Sequence, residues 1–263
     1  MIGFAIDMDG TVYKGEEPIP GAREFVEKLI GSGIPFRFLT NNSSHTAGFF
    51  AERLRKMGFR VSDGDILTST EATCRFIRER RPDARVYALA TPEVTEEIRS
   101  SGVCLAHGDP NTVMLTFDTT IDYRKINCGY HCIREGAELI ATHPDDVCPT
   151  EDSYDVDIGP FIRLYESLAG IKATVIGKPN RLMLDMAASE MGISPDDVIM
   201  IGDRLSTDIR MAEDAGTRSI LVLSGETDRE MLSRSDIHPT FVIDSVAGVF
   251  SILNELRADW KVA

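Results

Sequence analysis

The sequence predicts an α/β protein in which a parallel sheet is flanked by helices. Short apolar runs rich in Ile, Val and Phe alternate with segments of helical period, the pattern of strands joined by helical crossovers. Four polar signatures each follow an apolar run, and none of them falls within residues 82–174. We therefore predict a core domain formed by residues 1–81 and 175–263, interrupted by an inserted domain at 82–174.

The predicted elements follow in order from the apolar periodicity. In the first part of the core we expect strands at residues 3–6, 35–39 and 65–68 and helices at 21–30, 46–57 and 71–79. The first helix has a predicted apolar face at Phe25, Val26, Leu29 and Ile30 and ends at Gly31-Ser32-Gly33.

The same reasoning gives the rest of the chain. In the inserted part we expect strands at residues 85–89, 103–105, 112–117 and 138–141 and helices at 92–100, 123–134 and 158–169. After it, the pattern predicts helices at 181–191, 207–215, 228–232 and 246–256 and strands at 198–201, 219–223 and 240–243.

Composition limits the classes of partner. The chain carries 28 Lys+Arg against 42 Asp+Glu, a net charge of −14, which disfavours binding to nucleic acid. No apolar run has the roughly 20 residues of a membrane span, so we expect no membrane partner. Five cysteines without a CxxC pair suit a reducing compartment, and a cytoplasmic location is expected.

Asp7 and Asp9 directly follow the first predicted strand. In open α/β sheets, ligands bind beyond the carboxyl ends of the strands. Two carboxylates in such a place can divide the work, one as an ionised nucleophile and the other as a general acid and base. The alternative is a turn at Asp9-Gly10 that needs no function.

Three further residues could bind phosphate. Thr40 and Asn41 follow the second strand and can donate hydrogen bonds to phosphate oxygens, although a polar turn or helix cap explains them as well. Lys178, between a glycine and a proline before a helix, can offset phosphoryl charge, whereas most single lysines are solvated surface residues.

Asp203 and Asp208 form the fourth signature. An apolar strand delivers Asp203 into a loop, and its carboxylate suits Mg²⁺, while Asp208 is expected to orient Asp203 or a water rather than bind the ion directly. The other reading of Asp208 is a helix cap. Backbone N–H groups around Arg204, Leu205 and Ser206 could add an anion site at a helix start.

These residues resemble a family. Asp7-x-Asp9-x-Thr11, Thr40, Lys178 and Gly202-Asp203-x₄-Asp208 look like the four ordered motifs of haloacid dehalogenase-type phosphatases. Asp9-Gly10-Thr11-Val12-Tyr13, Leu39-Thr40-Asn41-Asn42-Ser43 and the long insertion are similar to the NagD-like, para-nitrophenyl phosphatase branch.

The resemblance implies a Rossmann-like, doubly wound core with an inserted α/β cap of the C2 type. It implies that Asp7 attacks phosphorus and that Asp9 is the general acid and base. Mg²⁺ would be held by Asp7, Asp203 and the backbone carbonyl of Asp9. Thr40, Asn41 and Lys178 would bind the phosphoryl group, and the second aspartate favours phosphate esters over halides.

The cap substrate loop departs from the family. Ala141-Thr142-His143-Pro144-Asp145 resembles the family's Thr-Asn-Pro-Asp segment, with His143 in place of asparagine. His143 can therefore alter the leaving-group pocket or be a turn residue before Pro144. The following stretch is acidic, with Glu151, Asp152, Asp155 and Asp157. These charges weigh against an anionic leaving group such as a nucleotide, and the alternative is that they simply face water.

The function expected from the resemblance is Mg²⁺-dependent hydrolysis of a small phosphorylated metabolite through an aspartyl-phosphate. A phosphotransferase or phosphomutase would use the same intermediate, and a non-catalytic phosphometabolite-binding protein is a third class. Sugar phosphates, nucleoside monophosphates, phosphoglycolate and glycerol phosphate all stay open as substrates. Relatives include cap-to-cap dimers, so a homodimer also stays open.

Overall fold

The helices and strands are taken from a computed structural model that describes residues 1–106, 108–150 and 153–258. The strands are β1 (Gly3–Asp7), β2 (Tyr13–Lys14), β3 (Glu17–Pro18), β4 (Phe36–Thr40), β5 (Ile66–Thr68), β6 (Val86–Leu89), β7 (Thr112–Leu115), β8 (Glu138–Ala141), β9 (Val147–Pro149), β10 (Tyr154–Val156), β11 (Thr174–Val175), β12 (Val198–Gly202), β13 (Arg218–Val222) and β14 (Phe241–Ile243). The α-helices are α1 (Ala22–Gly31), α2 (Ala47–Lys56), α3 (Ser69–Arg80), α4 (Pro92–Ser100), α5 (Tyr123–Arg134), α6 (Gly159–Ala169), α7 (Arg181–Met191), α8 (Arg210–Ala215), α9 (Arg229–Arg234) and α10 (Val249–Ala258).

A six-stranded parallel sheet has the strand order β14-β13-β12-β1-β4-β5. β1 lies near its middle and pairs in parallel with both β12 and β4, with Ile6 opposite Ile201 and Asp7 opposite Leu39. Every residue of β12 is buried, as expected for a strand covered on both faces. The predicted fold class, an α/β protein with a parallel core sheet and a separate inserted α/β sheet, is confirmed.

A second, four-stranded sheet has the order β11-β8-β7-β6, and all its pairings are parallel. Its strands supply a separate apolar core in which α5 and α6 take part. Tyr165 of α6 is fully buried there, and its hydroxyl donates to the Ile126 carbonyl oxygen at 2.9 Å, which satisfies its one polar atom.

The chain separates into two compact units. The first contains Met1–Leu39, Ala51–Asp65 and the chain from Leu184 onward, and the second contains Thr40–Phe50 and Ile66–Met183. The limits of the inserted domain, 82–174, stay a prediction.

Local sequence signals explain where helices begin and what they bury. Thr68 caps α3 in a capping box, in which its hydroxyl accepts from the Glu71 amide and the Glu71 carboxylate accepts from the Thr68 amide. The apolar face of α1 buries Phe25, whose ring meets Phe4 of β1 edge-on at 6.3 Å. Burying such a side chain contributes about 1.5–3 kcal/mol.

The predicted elements are found with shifts of a few residues, and five short features differ. Residues 103–105 form only a bridge, between Leu105 and Val86, rather than a strand. The hairpins β2–β3 and β9–β10 and the two-residue strand β11 lack a sustained apolar alternation and were not predicted. The predicted helix at 207–215 begins as a π-helical turn, Leu205–Ile209, before it continues as α8.

Within the described parts of the chain, none of the helices is both long enough and apolar enough to cross a bilayer. The predicted cytoplasmic location stays a prediction.

Candidate active site

Asp7 is the last residue of β1, and a tight turn follows it. The Val12 amide donates to the Met8 carbonyl oxygen at 2.9 Å, and the Thr11 hydroxyl donates to the Asp7 carboxylate at 3.4 Å. Because β1 runs in parallel between β12 and β4, Asp7 lies at the carboxyl edge of the sheet. Gly202, the last residue of β12, and Asp203 directly after it lie at the same edge.

Asp9 lies in the same turn, and its neighbours alter the pKa of its carboxyl group. Desolvation of its carboxyl group raises the pKa of Asp9, and the negative charge of Asp7 raises it further. Arg53 and Arg204 oppose this shift. Arg53 is held in place by the Tyr13 ring, whose centroid is 4.8 Å from the guanidinium carbon, and by the Gly15 carbonyl oxygen. A carboxyl group with a raised pKa is suited to exchange a proton during a reaction.

Three carboxylates meet at this edge of the first unit. Asp7, Asp203 and Asp208 each offer an oxygen, and these oxygens lie within 4.8 Å of one another. Asp203 and Asp208 are buried, at 2% and 0% exposure. Burial raises the pKa of Asp203 well above its usual value, and the charges of Asp7 and Asp208 add to the increase. Such a cluster is repulsive unless a proton or a cation balances it.

The Asp203 carboxylate is fixed but not saturated. Its Oδ2 accepts from the Glu226 amide at 2.6 Å, whereas its Oδ1 is buried and has no hydrogen-bond partner among the residues that the structure describes. A buried, unpaired carboxylate oxygen beside two further carboxylates suits a hard divalent cation such as Mg²⁺, which binds oxygen ligands. The residues present therefore fit the predicted metal.

Two glycines make room for these carboxylates. A Cβ on Gly225 would lie 2.0 Å from Asp203 Oδ2, and a Cβ on Gly202 would lie 2.4 Å from Asp208 Cβ. No side chain can occupy either place without displacing a carboxylate. Gly202 belongs to a predicted motif, but Gly225 and Glu226 were not predicted as site residues. The sequence feature that could have indicated Gly225 and Glu226 is their position just after β13, at the same edge of the sheet.

The loop after β12 was predicted to hold an anion site. The Arg204 amide donates to the Asp208 carboxylate at 3.2 Å, so Asp208 orients this loop, and the Arg204 guanidinium forms an ion pair with Glu226 at 3.0 Å. Leu205 is buried and Ser206 is exposed. Anion binding by these three residues stays a prediction.

The predicted phosphate-binding residues Thr40, Asn41 and Lys178 belong to the second unit, and all three are buried. The Asn41 carboxamide bonds to both backbone groups of Lys178. Its Oδ1 accepts from the Lys178 amide at 2.9 Å, and its Nδ2 donates to the Lys178 carbonyl oxygen at 3.0 Å. The same Nδ2 donates to Asp145. Asn41 thus fixes the backbone of Lys178, while its predicted contact with phosphate stays a prediction.

His143 and Asp145 lie in the same unit, in the loop that follows β8. The imidazole of His143 is fully buried, with Nδ1 3.5 Å from Asp145 and Nε2 3.5 Å from Asp157. Asp157 belongs to the acidic stretch noted above. Glu151 and Asp152 of that stretch lie outside the described residues.

Comparison with known proteins agrees with this geometry. Residues 4–104 match a family model described as haloacid dehalogenase-like hydrolase, and residues 175–249 match one described as HAD-hydrolase-like. A 5'-nucleotidase of Bacillus subtilis, YutF, is 32% identical over 93% of this chain and 95% of its own length. The chain belongs to the haloacid dehalogenase-like hydrolase family.

Solved structures place the chain in one branch of this family. A 4-nitrophenylphosphatase of Thermotoga maritima is 36% identical and superposes with a TM-score of 0.90, covering 94% of this chain and 95% of its own. NagD of E. coli is 26% identical with a TM-score of 0.87, covering 94% of this chain and 98% of its own. The chain is a HAD-type phosphatase of the NagD/p-nitrophenyl phosphatase branch, and its substrates are small phosphomonoesters.

Proposed function

We propose that this phosphatase works through an aspartyl-phosphate on Asp7 and depends on Mg²⁺. Two observations carry the proposal: one oxygen each of Asp7, Asp203 and Asp208 lie within 4.8 Å of one another, and the buried Asp203 Oδ1 has no hydrogen-bond partner among the described residues. In the proposed site Asp7, Asp203 and the backbone carbonyl of Asp9 hold the ion, and Asp208 orients the loop that carries Asp203. Bound Mg²⁺ offsets negative charge on the transferring phosphoryl group.

The chemistry then rests on two aspartates. A carboxylate oxygen of Asp7 attacks phosphorus, and the bond between phosphorus and the ester oxygen breaks while Asp9 gives that oxygen a proton. Asp9 then takes a proton from a water, and this water attacks phosphorus. The bond from phosphorus to Asp7 breaks, so that phosphate leaves and Asp7 is restored. The raised pKa of Asp9 supports its role as the proton carrier.

Thr40 and Lys178 are proposed to bind the phosphoryl group. Thr40 is the last residue of β4, directly after Leu39, and its hydroxyl can donate a hydrogen bond to a phosphate oxygen. Lys178 would supply the positive charge, and Asn41 would hold the lysine backbone in place in addition to its proposed phosphate contact.

The substrate class is proposed from relatives. These include the 5'-nucleotidase above and a dihydroxyacetone phosphatase of Corynebacterium glutamicum, which is 32% identical over 94% of this chain and 90% of its own length. We propose a sugar phosphate or a nucleoside monophosphate. Hydrolysis is favoured over phosphotransfer to a sugar, since the relatives named here are phosphatases.

The test is a panel of phosphorylated metabolites, assayed with Mg²⁺ and with EDTA, in which inorganic phosphate and isomerised sugar phosphate are both measured. We expect phosphate release that requires Mg²⁺ and no isomerisation. Asp7→Asn should abolish turnover and keep the fold, whereas Asp63→Asn, a change at an exposed aspartate of the same unit, should not alter it. Unchanged turnover in Asp7→Asn would refute the proposed nucleophile.

A further inference from the structure

His143 is a buried side chain, of a type that commonly binds metals, and the proposed reaction does not use it. Its ring is fully inaccessible to solvent, and among the residues that the structure describes neither ring nitrogen has a hydrogen-bond partner. A buried polar group without a partner costs free energy, and a bound ion is one of the few features that account for such a group. Two unpaired nitrogens in one buried ring therefore point to a bound group.

Two carboxylates lie beside this ring, in the same unit. An Asp145 oxygen lies 3.5 Å from Nδ1, and an Asp157 oxygen lies 3.5 Å from Nε2. One ring nitrogen and one oxygen of each aspartate lie within 4.8 Å of one another. Ligands about 2.0–2.2 Å from a tetrahedral ion are roughly 3.4 Å apart, so side-chain adjustments of about 1 Å bring these three atoms to one ion.

A single ion accounts for both nitrogens of the ring. The ion binds one nitrogen through its lone pair, and the other nitrogen then carries a hydrogen that faces a carboxylate. Metal-bound histidines almost always direct their second N–H to a carboxylate, a backbone carbonyl or a water. This arrangement uses the neutral imidazole, which is the form that metal ions bind.

Backbone hydrogen bonds hold the two aspartates near the ring. The Asp157 amide donates to the Asp146 carbonyl oxygen at 3.0 Å, and the Gly159 amide donates to the Asp145 carbonyl oxygen at 2.8 Å. A Cβ on Gly159 would lie 2.8 Å from the Pro144 carbonyl oxygen, so the two segments are in close contact. The loop after β8 is thus joined to the start of α6 by the backbone itself, as a preformed site requires.

Each carboxylate is also oriented by a neighbour. Asp157 Oδ1 accepts from the Ile158 amide at 2.7 Å. Both oxygens of Asp145 accept from Asn41 Nδ2, at 3.2 and 3.1 Å. Carboxylates that bind metals are commonly fixed by such additional hydrogen bonds. The cluster therefore contains both the ligand atoms and the groups that orient them.

The ligand types select the class of ion. Mg²⁺ and Ca²⁺ prefer sites made of oxygen atoms, whereas an imidazole nitrogen suits Zn²⁺ and related transition metals. Zn²⁺ binds imidazole and carboxylate together, and a water completes its tetrahedron where the protein supplies three ligands.

We propose that His143, Asp145 and Asp157 form a site for a divalent transition metal of the Zn²⁺ class. These residues differ from those of the proposed Mg²⁺ site, and the inference does not depend on the proposed reaction. The bound ion ties the loop after β8 to the segment that leads into α6.

The experiment measures Zn²⁺ binding in the Asp203→Asn background, which lacks a ligand of the proposed Mg²⁺ site. In this background we would compare His143→Asn and Asp157→Asn with Asp155→Asn, a matched control at an exposed aspartate two residues away. Asparagine stands at the histidine position in the family segment that residues 141–145 resemble, so His143→Asn should fold. Calorimetry would give the stoichiometry and affinity, ¹⁵N NMR would follow the ring, and anomalous diffraction would locate the ion.

We expect one Zn²⁺ per chain in the Asp203→Asn protein and in its Asp155→Asn derivative. Loss of a group that only orients a ligand already lowers metal affinity 10–100-fold, so loss of a ligand in His143→Asn or Asp157→Asn should lower it at least about 100-fold. The signal of one His143 ring nitrogen should shift when Zn²⁺ binds. An excess of Mg²⁺ should not displace the Zn²⁺.

Equal Zn²⁺ affinity in His143→Asn and in the Asp155→Asn control would overturn the proposal. Unchanged His143 ring signals on addition of Zn²⁺, or no anomalous peak at these three residues, would overturn it as well. The NMR and diffraction measurements need no change at the cluster, so they decide the matter even if a cluster variant unfolds. None of these results depends on hydrolysis of a phosphomonoester, so failure of the metal site and failure of the proposed function are distinguishable.

Discussion

The carboxamide of Asn41 binds both backbone groups of Lys178, a residue 137 positions later in the chain. These two hydrogen bonds satisfy a buried N–H and a buried C=O that no regular secondary structure satisfies, because Lys178 lies between β11 and α7. Asn41 therefore helps to fix the fold of the second unit as well as the place of a charged side chain.

Asn41→Ala should for this reason lower both stability and activity. Leaving buried backbone groups unpaired costs about 1–3 kcal/mol for each group, so we expect a loss of a few kcal/mol in urea unfolding, together with a higher KM. Asn127→Ala, at a helix surface, is the control and should leave both quantities unchanged. A stable Asn41→Ala protein with a normal KM would show that Asn41 does not fix the Lys178 backbone.

Gly225→Ala should weaken metal binding. The added Cβ would lie 2.0 Å from Asp203 Oδ2, so the carboxylate must turn away from its position beside Asp7. Changes of this kind around a metal site commonly reduce metal affinity 10–100-fold. Mg²⁺ titration of activity and calorimetry would measure the shift. Gly248→Ala is the matched control, since its nearest neighbour would be 3.6 Å away, and an equal Mg²⁺ affinity in the two variants would argue against the crowding.

Removing the metal should destabilise the wild type. Without a cation the three carboxylates repel one another. A ligand that is present at about 100 times its Kd adds ~2.7 kcal/mol to the free energy of unfolding. We expect Mg²⁺ to raise the Tm of the wild type and not that of Asp203→Asn. In EDTA the order should reverse, with Asp203→Asn the more stable of the two, because one buried charge is gone. A Tm that does not respond to Mg²⁺ in the wild type would count against the site.

Glu97 of α4 should make stability depend on pH. Burial raises its pKa to about 7, with the charge of Glu71 as the next cause, and within the described parts of the chain its Oε2 has no hydrogen-bond partner. Because the folded-state pKa lies above the ordinary value of 4.5, the folded protein keeps a proton that the unfolded chain releases. Stability should therefore fall as the pH rises from about 4.5 to 7 and should level off above that range.

Glu97→Gln should remove this fall, so that the variant is the more stable protein at pH 8, by on the order of 1–3 kcal/mol, and differs little from the wild type near pH 4.5. Urea unfolding at several pH values would show it. Glu96→Gln, at the exposed neighbouring position, should keep the wild-type pH dependence. Parallel stability curves for Glu97→Gln and the wild type would show that the carboxyl group is not the cause.

The fold and the acidic part of the site were predictable because their signals are local. Asp7 and Asp203 each follow an apolar strand, and the rule that parallel strands end at one edge places them together. The roles of Gly225 and Asn41 were harder to predict, because they depend on contacts between residues that are far apart in the sequence. The approach of Asp145 and Asp157 to the His143 ring could not be predicted, because it arises from side-chain directions in a loop and not from any periodic pattern.

The pairing of β1 with β12 has a consequence for how the chain folds during its synthesis. The strand that carries the nucleophile finds one of its two neighbours early, in β4, but the other is translated almost 200 residues later. At about 5–20 residues per second, this leaves one edge of an apolar strand open for on the order of 10–40 s. Nascent chains of this protein should therefore depend on chaperones until the last third has left the ribosome.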